Sequence, residues 1–324
     1  MDVFDDTLRS LRISGSLLLR ESYTPPWAIR IPNDSELAKV LQTAPGTRVV
    51  AFHLVEFGQC AVRPEGQAEI PLSAGRMVIC FGGQAHELVQ GETTRSLSIE
   101  TLLRGGPNLQ SPDHKKGLVG ASLLCGVFLL HNTELNPLFE ALPPVLQSAL
   151  SRAGELHNLA GVARLITDEM DRRTPGGPFI VERLLEVLCA EALRTHLQTV
   201  GDTQPGWFRG IRDPAIGRAI SAVHADPGHP WSVKRLAQAV AMSPSRFAAR
   251  FTASIGESPM VYVTKWRMNL ACRRLATEKG GVERIAASLG YENQAAFSRA
   301  FKKWVGQSPA SWRAGQQSRE NASI

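Results

Sequence analysis

The sequence contains no apolar run close to the roughly 20 residues that a helix needs to cross a bilayer. Its most apolar stretch, residues 117–130, is too short for that purpose. The chain opens with the acidic run MDVFDD, whereas a secretory signal peptide opens with basic residues followed by an apolar segment. These absences argue against a membrane partner and against export, so we expect a cytoplasmic protein.

Cysteine is scarce, and its spacing excludes the common redox and zinc motifs. No Cys-x-x-Cys pair occurs among the five residues, which are Cys60, Cys80, Cys125, Cys189 and Cys272. In a reducing compartment such thiols are usually buried and free. A redox-sensing pair, for example Cys60 with Cys80, is the alternative that this distribution leaves open.

The sequence patterns of catalysis are also missing. No nucleophilic triad, phosphate-cradling glycine loop or paired-carboxylate arrangement stands out. We therefore predict no catalytic residue and no cofactor.

Positive charge is concentrated near the C-terminus. Residues 212–313 contain 16 Lys and Arg against 6 Asp and Glu, whereas the rest of the chain has 20 basic and 24 acidic residues. A strongly basic domain beside an acidic remainder is typical of a protein that contacts nucleic acid phosphates.

The same basic region is an internal repeat. Residues 232–313 contain two copies of one pattern, offset by 49 residues before a turn and by 50 after it. The matched pairs are Leu236 and Ile285, Phe247 and Phe297, Phe251 and Phe301, Gly256 and Gly306, Pro259 and Pro309, and Tyr262 and Trp312. Each copy reads as a short helix, a tight turn and a second helix, which is the helix-turn-helix motif.

The faces of the two second helices predict which residues meet DNA. The phenylalanines of each copy lie four residues apart on one face and are expected in the core. Small, amide and basic side chains occupy the remaining positions. Arg can form two hydrogen bonds with guanine, Gln can do so with adenine, and Lys can pair with phosphate. The candidate DNA-binding residues are Ser243, Ser245, Arg246, Ala249, Arg250, Asn293, Gln294, Ala295, Ser298, Arg299, Lys302 and Lys303. The alternative is that they are ordinary solvated surface residues.

Between the copies, residues 259–277 predict one long helix that spaces the two recognition helices. Together with Gly-x-Ser-Pro after each recognition helix and the run GY-x-NQ-x-x-F-S-R-x-F-K-K, this region resembles the DNA-binding domain of AraC/XylS-family transcription regulators. The resemblance covers about the last third of the chain. It implies base contacts near Ser245, Arg246, Ala249, Gln294, Ala295 and Arg299, and the small residues at 245 and 249 lead us to expect more direct readout by the second copy.

The N-terminal part reads as a series of short strands, which favours a β-barrel or sandwich. The predicted strands cover residues 27–31, 48–55, 59–63, 68–72, 76–81, 96–103 and, as one or two strands, 118–130. The order His53, Gly58, Leu72-x-x-Gly75 and Gly83-x-x-His86 resembles the cupin-type sensor domain found in one branch of these regulators.

Trp27, His53 and His86 are the candidate residues for binding a small effector in this barrel, since a barrel mouth is a natural ligand site. Metal-using cupins typically supply about three histidines and a carboxylate, with two of the histidines at His-x-His spacing. His53 has no such neighbour, so we predict no metal and take both histidines as pocket or core groups.

Helical periodicity follows the barrel at residues 138–150, 156–171 and 179–200, and the last of these can also form a dimer seam. We thus predict an α+β multidomain chain: a cupin-like sensor domain at 1–130, a helical dimerisation segment at 131–200, a linker at 201–212, an all-α double helix-turn-helix domain at 213–314, and a polar tail at 315–324.

The expected function is sequence-specific regulation of transcription by a homodimer that responds to an unknown small-molecule effector. The expected partners are double-stranded operator or promoter DNA and, for an activator, RNA polymerase, which places the protein at the nucleoid. Two other classes compete: a cupin-type oxygenase or isomerase fused to a DNA reader, and an architectural DNA-binding protein without effector response.

Overall fold

The computed structural model describes residues 3–44, 46–92, 95–105, 120–133, 135–150, 158–199 and 206–321. The chain forms two compact units, which we call the sheet unit and the helical unit. The sheet unit comprises Ile13–His131 and Pro143–Gln198, and the helical unit comprises Met1–Arg12, Asn132–Leu142 and Thr199–Ile324. Among the helices in these ranges, none combines the length and the apolar character that crossing a membrane would need.

Among the described residues, nine strands make up the curled sheet of the sheet unit. They are β1 Ile13–Tyr23, β2 Trp27–Ile31, β3 Arg48–Pro64, β4 Ile70–Ser73, β5 Arg76–Cys80, β6 His86–Gln90, β7 Leu97–Ser98, β8 Ala121–Leu130 and β9 Leu146–Ala149. The order is β1-β8-β3-β6-β2-β7, with β4 paired to β3, and β5 paired to both β3 and β9. This is the cupin-like half-barrel that the sequence predicted.

The helices are short except in the C-terminal half of the chain. They are α1 Val3–Leu11, α2 Asp34–Val40, α3 Ile99–Leu103, α4 Pro137–Glu140, α5 Asn158–Arg172, α6 Gly177–Thr199, α7 Trp207–Arg212, α8 Pro214–Ala225, α9 Val233–Ala239, α10 Pro244–Ile255, α11 Pro259–Thr277, α12 Val282–Ser288, α13 Gln294–Val305 and α14 Pro309–Asn321.

Strand β3 organises the half-barrel because it pairs with four neighbours. Its first part pairs with β5 and β8, and its second part pairs with β4 and β6. Alternate β3 residues, among them Val49, Ala51 and Val55, enter the main apolar core. Helix α6 packs so closely on β1 that a Cβ at Gly15 would overlap Leu185.

Two local predictions of secondary structure were wrong. Residues 96–103 were predicted as a strand, but only β7 is extended, and α3 begins at Ile99 after Ser98 accepts a hydrogen bond from the Thr101 amide. Residues 138–150 were predicted as one helix with an interruption at Pro143-Pro144. The structure has α4 and then β9, because β9 finds a hydrogen-bonded partner in β5.

The helical unit repeats at the level of side-chain packing, as the sequence predicted. Phe251 contacts Tyr262 edge-on with ring centroids 5.8 Å apart, and Phe301 contacts Trp312 in the same way at 6.3 Å. Helices α10 and α13 both end at a glycine with left-handed backbone, Gly256 with φ 97° and Gly306 with φ 84°. The glycines suit these positions because a Cβ disfavours positive φ.

Two further findings concern the ends of the predicted domains. Helix α7, with Trp207 and Phe208 buried, occupies the second half of the stretch expected to be a linker, whose residues 201–205 lie outside the described ranges. Helix α14 runs to Asn321, within the expected polar tail. Helix α1 packs in the helical unit against α4, α8 and α11.

Candidate nucleic-acid interface and sensor domain

Helix α10 presents a polar face opposite an aromatic one. Phe247 and Phe251 are 0% and 2% exposed, so they anchor the helix in the core. Ser245, Arg246 and Ala249 are exposed on the other positions of the helix. Ser243 occupies the N-cap position and is exposed, although its side chain makes no capping hydrogen bond. These side chains are therefore available for contact with DNA.

Arg250 differs from its neighbours because its guanidinium already has a partner. Its Nε donates to Asp213 Oδ2 at 2.8 Å and its Nη2 donates to Asp213 Oδ1 at 3.0 Å. The same carboxylate caps α8 by accepting hydrogen bonds from the amides of Ala215 and Ile216. Arg250 therefore has a structural role in the helical unit, and its assignment to DNA binding stays a prediction.

Helix α13 carries the larger set of free cations. Phe297 and Phe301 are fully buried, whereas Arg299, Lys302 and Lys303 are exposed. Within the part of the chain that the structure describes, none of these three cations makes an ion pair or a side-chain hydrogen bond, and the same is true of Arg246 on α10. An exposed cation without an internal partner keeps its full attraction for phosphate.

The start of α13 is fixed by the side chain of its N-cap residue. Asn293 is the N-cap, and its Oδ1 accepts a hydrogen bond from the Ala296 amide at 2.8 Å. Gln294 and Ala295 follow as exposed residues on the first turn, and Ser298 is half-buried. Asn293 is thus committed to capping α13, so any contact of this residue with DNA would come in addition to capping.

Two basic residues of the spacing helix α11 already form ion pairs or hydrogen bonds within the helical unit. Lys265 forms ion pairs with Glu140 at 2.8 Å and Glu257 at 3.1 Å. Arg267 donates to the backbone carbonyls of Pro227 and His229, both at 2.7 Å. The sequence could not separate these cations from those of α10 and α13, since all of them lie in one basic region.

In the sheet unit, the three candidate effector residues are all buried. Trp27 lies in the core, where its Nε1 donates to Gln90 Oε1 at 2.9 Å and its ring packs on Tyr23. His53 and His86 are in direct contact, with 2.8 Å between their Nε2 atoms. Their exposed fractions are 2% and 4%, and burial lowers the pKa of both imidazoles.

Open clefts in the sheet unit lie elsewhere. One of about 770 Å³ extends over β3, β4 and β6, and a second of about 750 Å³ shares part of its wall. Both are lined by Arg63, Val89, Gly91 and Glu92. This cleft could not be predicted from the sequence, because charged residues on a strand give no signal of a concave surface.

The cysteines are free and buried, as the sequence predicted. Burial raises the pKa of Cys60 and of Cys80 to about 12. A thiol with so high a pKa is almost entirely protonated near neutral pH, so it reacts slowly with oxidants.

Comparison with known proteins gives matches along most of the chain. A family model described as "Cupin" matches residues 2–198, and one described as "Helix-turn-helix domain" matches residues 236–315. A protein of Streptomyces antibioticus named as an AraC-like transcription regulator is 37% identical over 277 residues, which are 82% of this chain and 87% of that protein. A protein of Streptomyces lividans with the same description is 28% identical over 97% of this chain and 98% of its own length.

Solved structures also match. ToxT from Vibrio cholerae O395 is 11% identical, covers 95% of this chain and 98% of its own, and superposes with a TM-score of 0.37. The DNA-binding domain of AdpA, solved in complex with a target DNA, is 28% identical over 33% of this chain and 96% of its own, with a TM-score of 0.31.

Proposed function

Because this chain belongs to the family of AraC-like transcription regulators with an N-terminal cupin domain, we propose that it binds a specific promoter or operator through both helix-turn-helix units. One observation carries the proposal: each copy of the repeat exposes one helix whose opposite face is anchored by two buried phenylalanines. A recognition helix must be rigidly held in this way for its side chains to keep their register on base edges.

The length of α11 supports simultaneous use of the two units. This helix has 19 residues, which at 1.5 Å per residue is about 28 Å. Successive turns of the major groove on one face of DNA are about 34 Å apart. A rigid helix of this length therefore suits two recognition helices that enter adjacent turns of the groove.

We further propose that the protein is a homodimer joined through α5 and α6. Ile180 and Val187 lie seven residues apart on α6, so they share one face, and they are 43% and 46% exposed. Phe179 and Leu165 add exposed apolar surface at 66% and 53%. Exposed apolar side chains that share a helix face, as Ile180 and Val187 do, favour burial against a second copy. Sedimentation should give a dimer for the wild type, a monomer for Val187→Glu and a dimer for the control Glu182→Ala.

The effector is expected to be a small polar molecule bound in the cleft over Arg63 and Glu92. Binding at this open cleft does not require the buried core around Trp27 to open. Such a molecule regulates DNA binding only if it binds one arrangement of the dimer better than the other. A thermal-shift screen of metabolites on the full chain tests this, because a hit should lose its effect in Arg63→Ala. We propose that the protein has no catalytic activity, and that it recruits RNA polymerase if it activates transcription.

The DNA-binding proposal is tested with the purified full chain. A promoter fragment is selected by the protein from genomic DNA, and its affinity is compared with that of a scrambled fragment at the same salt concentration. We expect the selected fragment to bind more tightly by about 10³-fold or more. Arg299→Ala should weaken specific binding by about 1–3 kcal/mol, or roughly 5- to 150-fold, if the guanidinium reads a guanine.

The matched control is Arg218→Ala, which removes the same charge from an exposed position of α8 outside the recognition helices. This variant should change affinity only slightly. Equal affinity for selected and scrambled DNA would instead identify an architectural DNA-binding protein. Loss of discrimination in Arg246→Ala, with none in Arg299→Ala, would reverse the expected division of work between the two copies.

A further inference from the structure

Three side chains with metal-ligating atoms meet inside the sheet unit. They are His53 on β3, Cys80 at the end of β5 and His86 at the start of β6. All three are buried, and their candidate ligand atoms lie within 4.8 Å of one another. Cys80 pairs with Ala51 across β3 and β5, so its side chain lies on the same sheet face as His53, two residues further along β3. Rigid strands therefore hold the cluster in place.

The orientation of His86 is fixed by the backbone. Its Nδ1 lies 3.2 Å from the Gln84 carbonyl oxygen, which can only accept, so Nδ1 carries the proton. The Nε2 of His86 is then the unprotonated nitrogen, and its lone pair points toward His53 Nε2 and Cys80 Sγ. A backbone carbonyl that holds the remote nitrogen of an imidazole is the usual outer-shell partner of a metal-binding histidine.

The separations of the three atoms approach those of a tetrahedral zinc site. Zinc bonds of about 2.0–2.1 Å to nitrogen and 2.3 Å to sulfur place two nitrogens about 3.3 Å apart, and nitrogen and sulfur about 3.6 Å apart. The structure has 2.8 Å between the two Nε2 atoms and 3.8 Å between Cys80 Sγ and His86 Nε2. The third pair, His53 and Cys80, lies within 4.8 Å. Zinc binding would require side-chain rotations that move the two Nε2 atoms about 0.5 Å apart and Cys80 Sγ about 0.2 Å toward His86.

We propose that His53, Cys80 and His86 form a Zn²⁺ site in the interior of the half-barrel. Imidazole nitrogen and cysteine thiolate are the ligands that Zn²⁺ most often has in proteins. Beside Cys80 and His86 lies a cavity of about 10 Å³, which has room for about one water molecule as a fourth ligand. On binding, Zn²⁺ replaces the proton of the Cys80 thiol, which passes to solvent as the zinc–sulfur bond forms. Because His86 Nε2 is unprotonated, His53 Nε2 holds the proton between the two rings, and that proton moves to His53 Nδ1 so that Nε2 can bind the ion.

This ligand set is not the His-x-His arrangement of metal-using cupins, and this is why the sequence argued against a metal. Sequence spacing could not show that Cys80 comes within reach of His53, which lies 27 positions earlier.

Cobalt substitution of the full-length protein tests the proposal. Protein treated with a chelator is titrated with Co²⁺, and we expect the near-ultraviolet thiolate-to-cobalt band and the intense visible bands of tetrahedral Co²⁺. Zn²⁺ should displace the cobalt at about one ion per chain. Cys80→Ser should abolish the thiolate band and weaken Zn²⁺ binding by about 100-fold or more. The control is Cys189→Ser, which removes an equally buried thiol on α6 outside the cluster and should keep both properties.

Several outcomes would overturn the site. Folded wild-type protein without the thiolate band, a band that survives in Cys80→Ser, or a band that disappears in Cys189→Ser would each do so. Preferential retention of Cu⁺ over Zn²⁺ would overturn the choice of metal. Where Cys80→Ser does not fold, X-ray absorption of the zinc-loaded wild type decides, because the proposal requires one sulfur and two imidazole nitrogens around the ion.

Discussion

Replacement of Asp213 tests whether the helical unit depends on one carboxylate for two separate interactions. Asp213 caps α8 through the amides of Ala215 and Ile216, and it also holds the guanidinium of Arg250 on α10. Asp213→Ala removes both interactions. Asp213→Asn keeps an oxygen that can accept from the two amides, so it removes only the charge.

The structure sets the expected sizes. Loss of an Asp N-cap typically costs about 1 kcal/mol, within a range of about 0.5–2 kcal/mol. The ion pair is partly solvated, with side-chain exposures of 43% for Arg250 and 16% for Asp213. Such a pair contributes about 0.2–1 kcal/mol. We therefore expect Asp213→Ala to lower the free energy of unfolding by about 1–3 kcal/mol, and Asp213→Asn and Arg250→Ala by only about 0.2–1 kcal/mol each.

Urea unfolding followed by tryptophan fluorescence is the assay, because tryptophan reports mainly on the helical unit. Five of the six tryptophans lie there, at positions 207, 231, 266, 304 and 312. Arg246→Ala serves as the control, since this exposed side chain has no partner within the described ranges and its loss should cost less than about 0.5 kcal/mol. Equal destabilisation by Asp213→Asn and Asp213→Ala would show that the cap does not contribute separately from the charge. Absence of coupling between Arg250→Ala and Asp213→Asn in a double-mutant cycle would show that the ion pair does not contribute to stability.

The same carboxylate predicts the sign of a pH effect. Burial alone would raise the pKa of Asp213, but the hydrogen bonds from Arg250 and from the Ile216 and Ala215 amides lower it below its ordinary value. A carboxylate with a depressed pKa in the folded state stabilises above its unfolded pKa, about 3.9, and loses this contribution as the pH falls further. The stability difference between wild type and Asp213→Asn should therefore shrink below about pH 4.

Three other predictions concern the same unit. Phe301→Ala removes a fully buried ring and should cost about 3–5 kcal/mol in urea unfolding, so a cost below about 1 kcal/mol would contradict its place in the core. Gly256→Ala meets no atom within 4 Å, yet φ is 97°, so backbone strain alone should cost about 1–2 kcal/mol, whereas no loss would show that the C-cap can relax. Burial lowers the pKa of His224 to about 3, so below about pH 6.5 the imidazole is protonated in the unfolded chain but not in the folded one, and the free energy of unfolding should fall there. His224→Gln should flatten that part of the pH profile of stability. An unchanged profile would refute the view that burial keeps His224 neutral.

How far the sequence could predict this protein depends on whether a pattern was repeated. The two copies check each other, so the burial of their phenylalanines and the bounds of the spacing helix were both predictable. Residues 138–150 had no such check. Their apolar spacing fits a helix, but the edge of β5 was available for pairing and the paired strand β9 formed there. A tertiary partner of this kind is not visible in local periodicity.

The candidate sites show the same limit. The exposed face of α13 could be predicted because helical geometry places its residues relative to Phe297 and Phe301. The partner of Arg250 could not, because Asp213 lies 37 positions earlier on another helix. The meeting of His53, Cys80 and His86 was equally hidden, since it depends on the register of three strands.

The two copies share a backbone but present their cations at different places, which bears on how they read DNA. After alignment on the phenylalanines, Arg299 falls at the position of Ala249, and Lys302 falls at the position of Thr252. In the first copy the free cation is Arg246, near the start of α10, because Arg250 is held by Asp213. In the second copy the free cations lie in the middle and at the end of α13. Since an arginine at a different helix position reaches a different base step, the two halves of the DNA site should differ in sequence. The second half should also carry more of the salt dependence, because each phosphate contact adds about 0.9 to the salt slope.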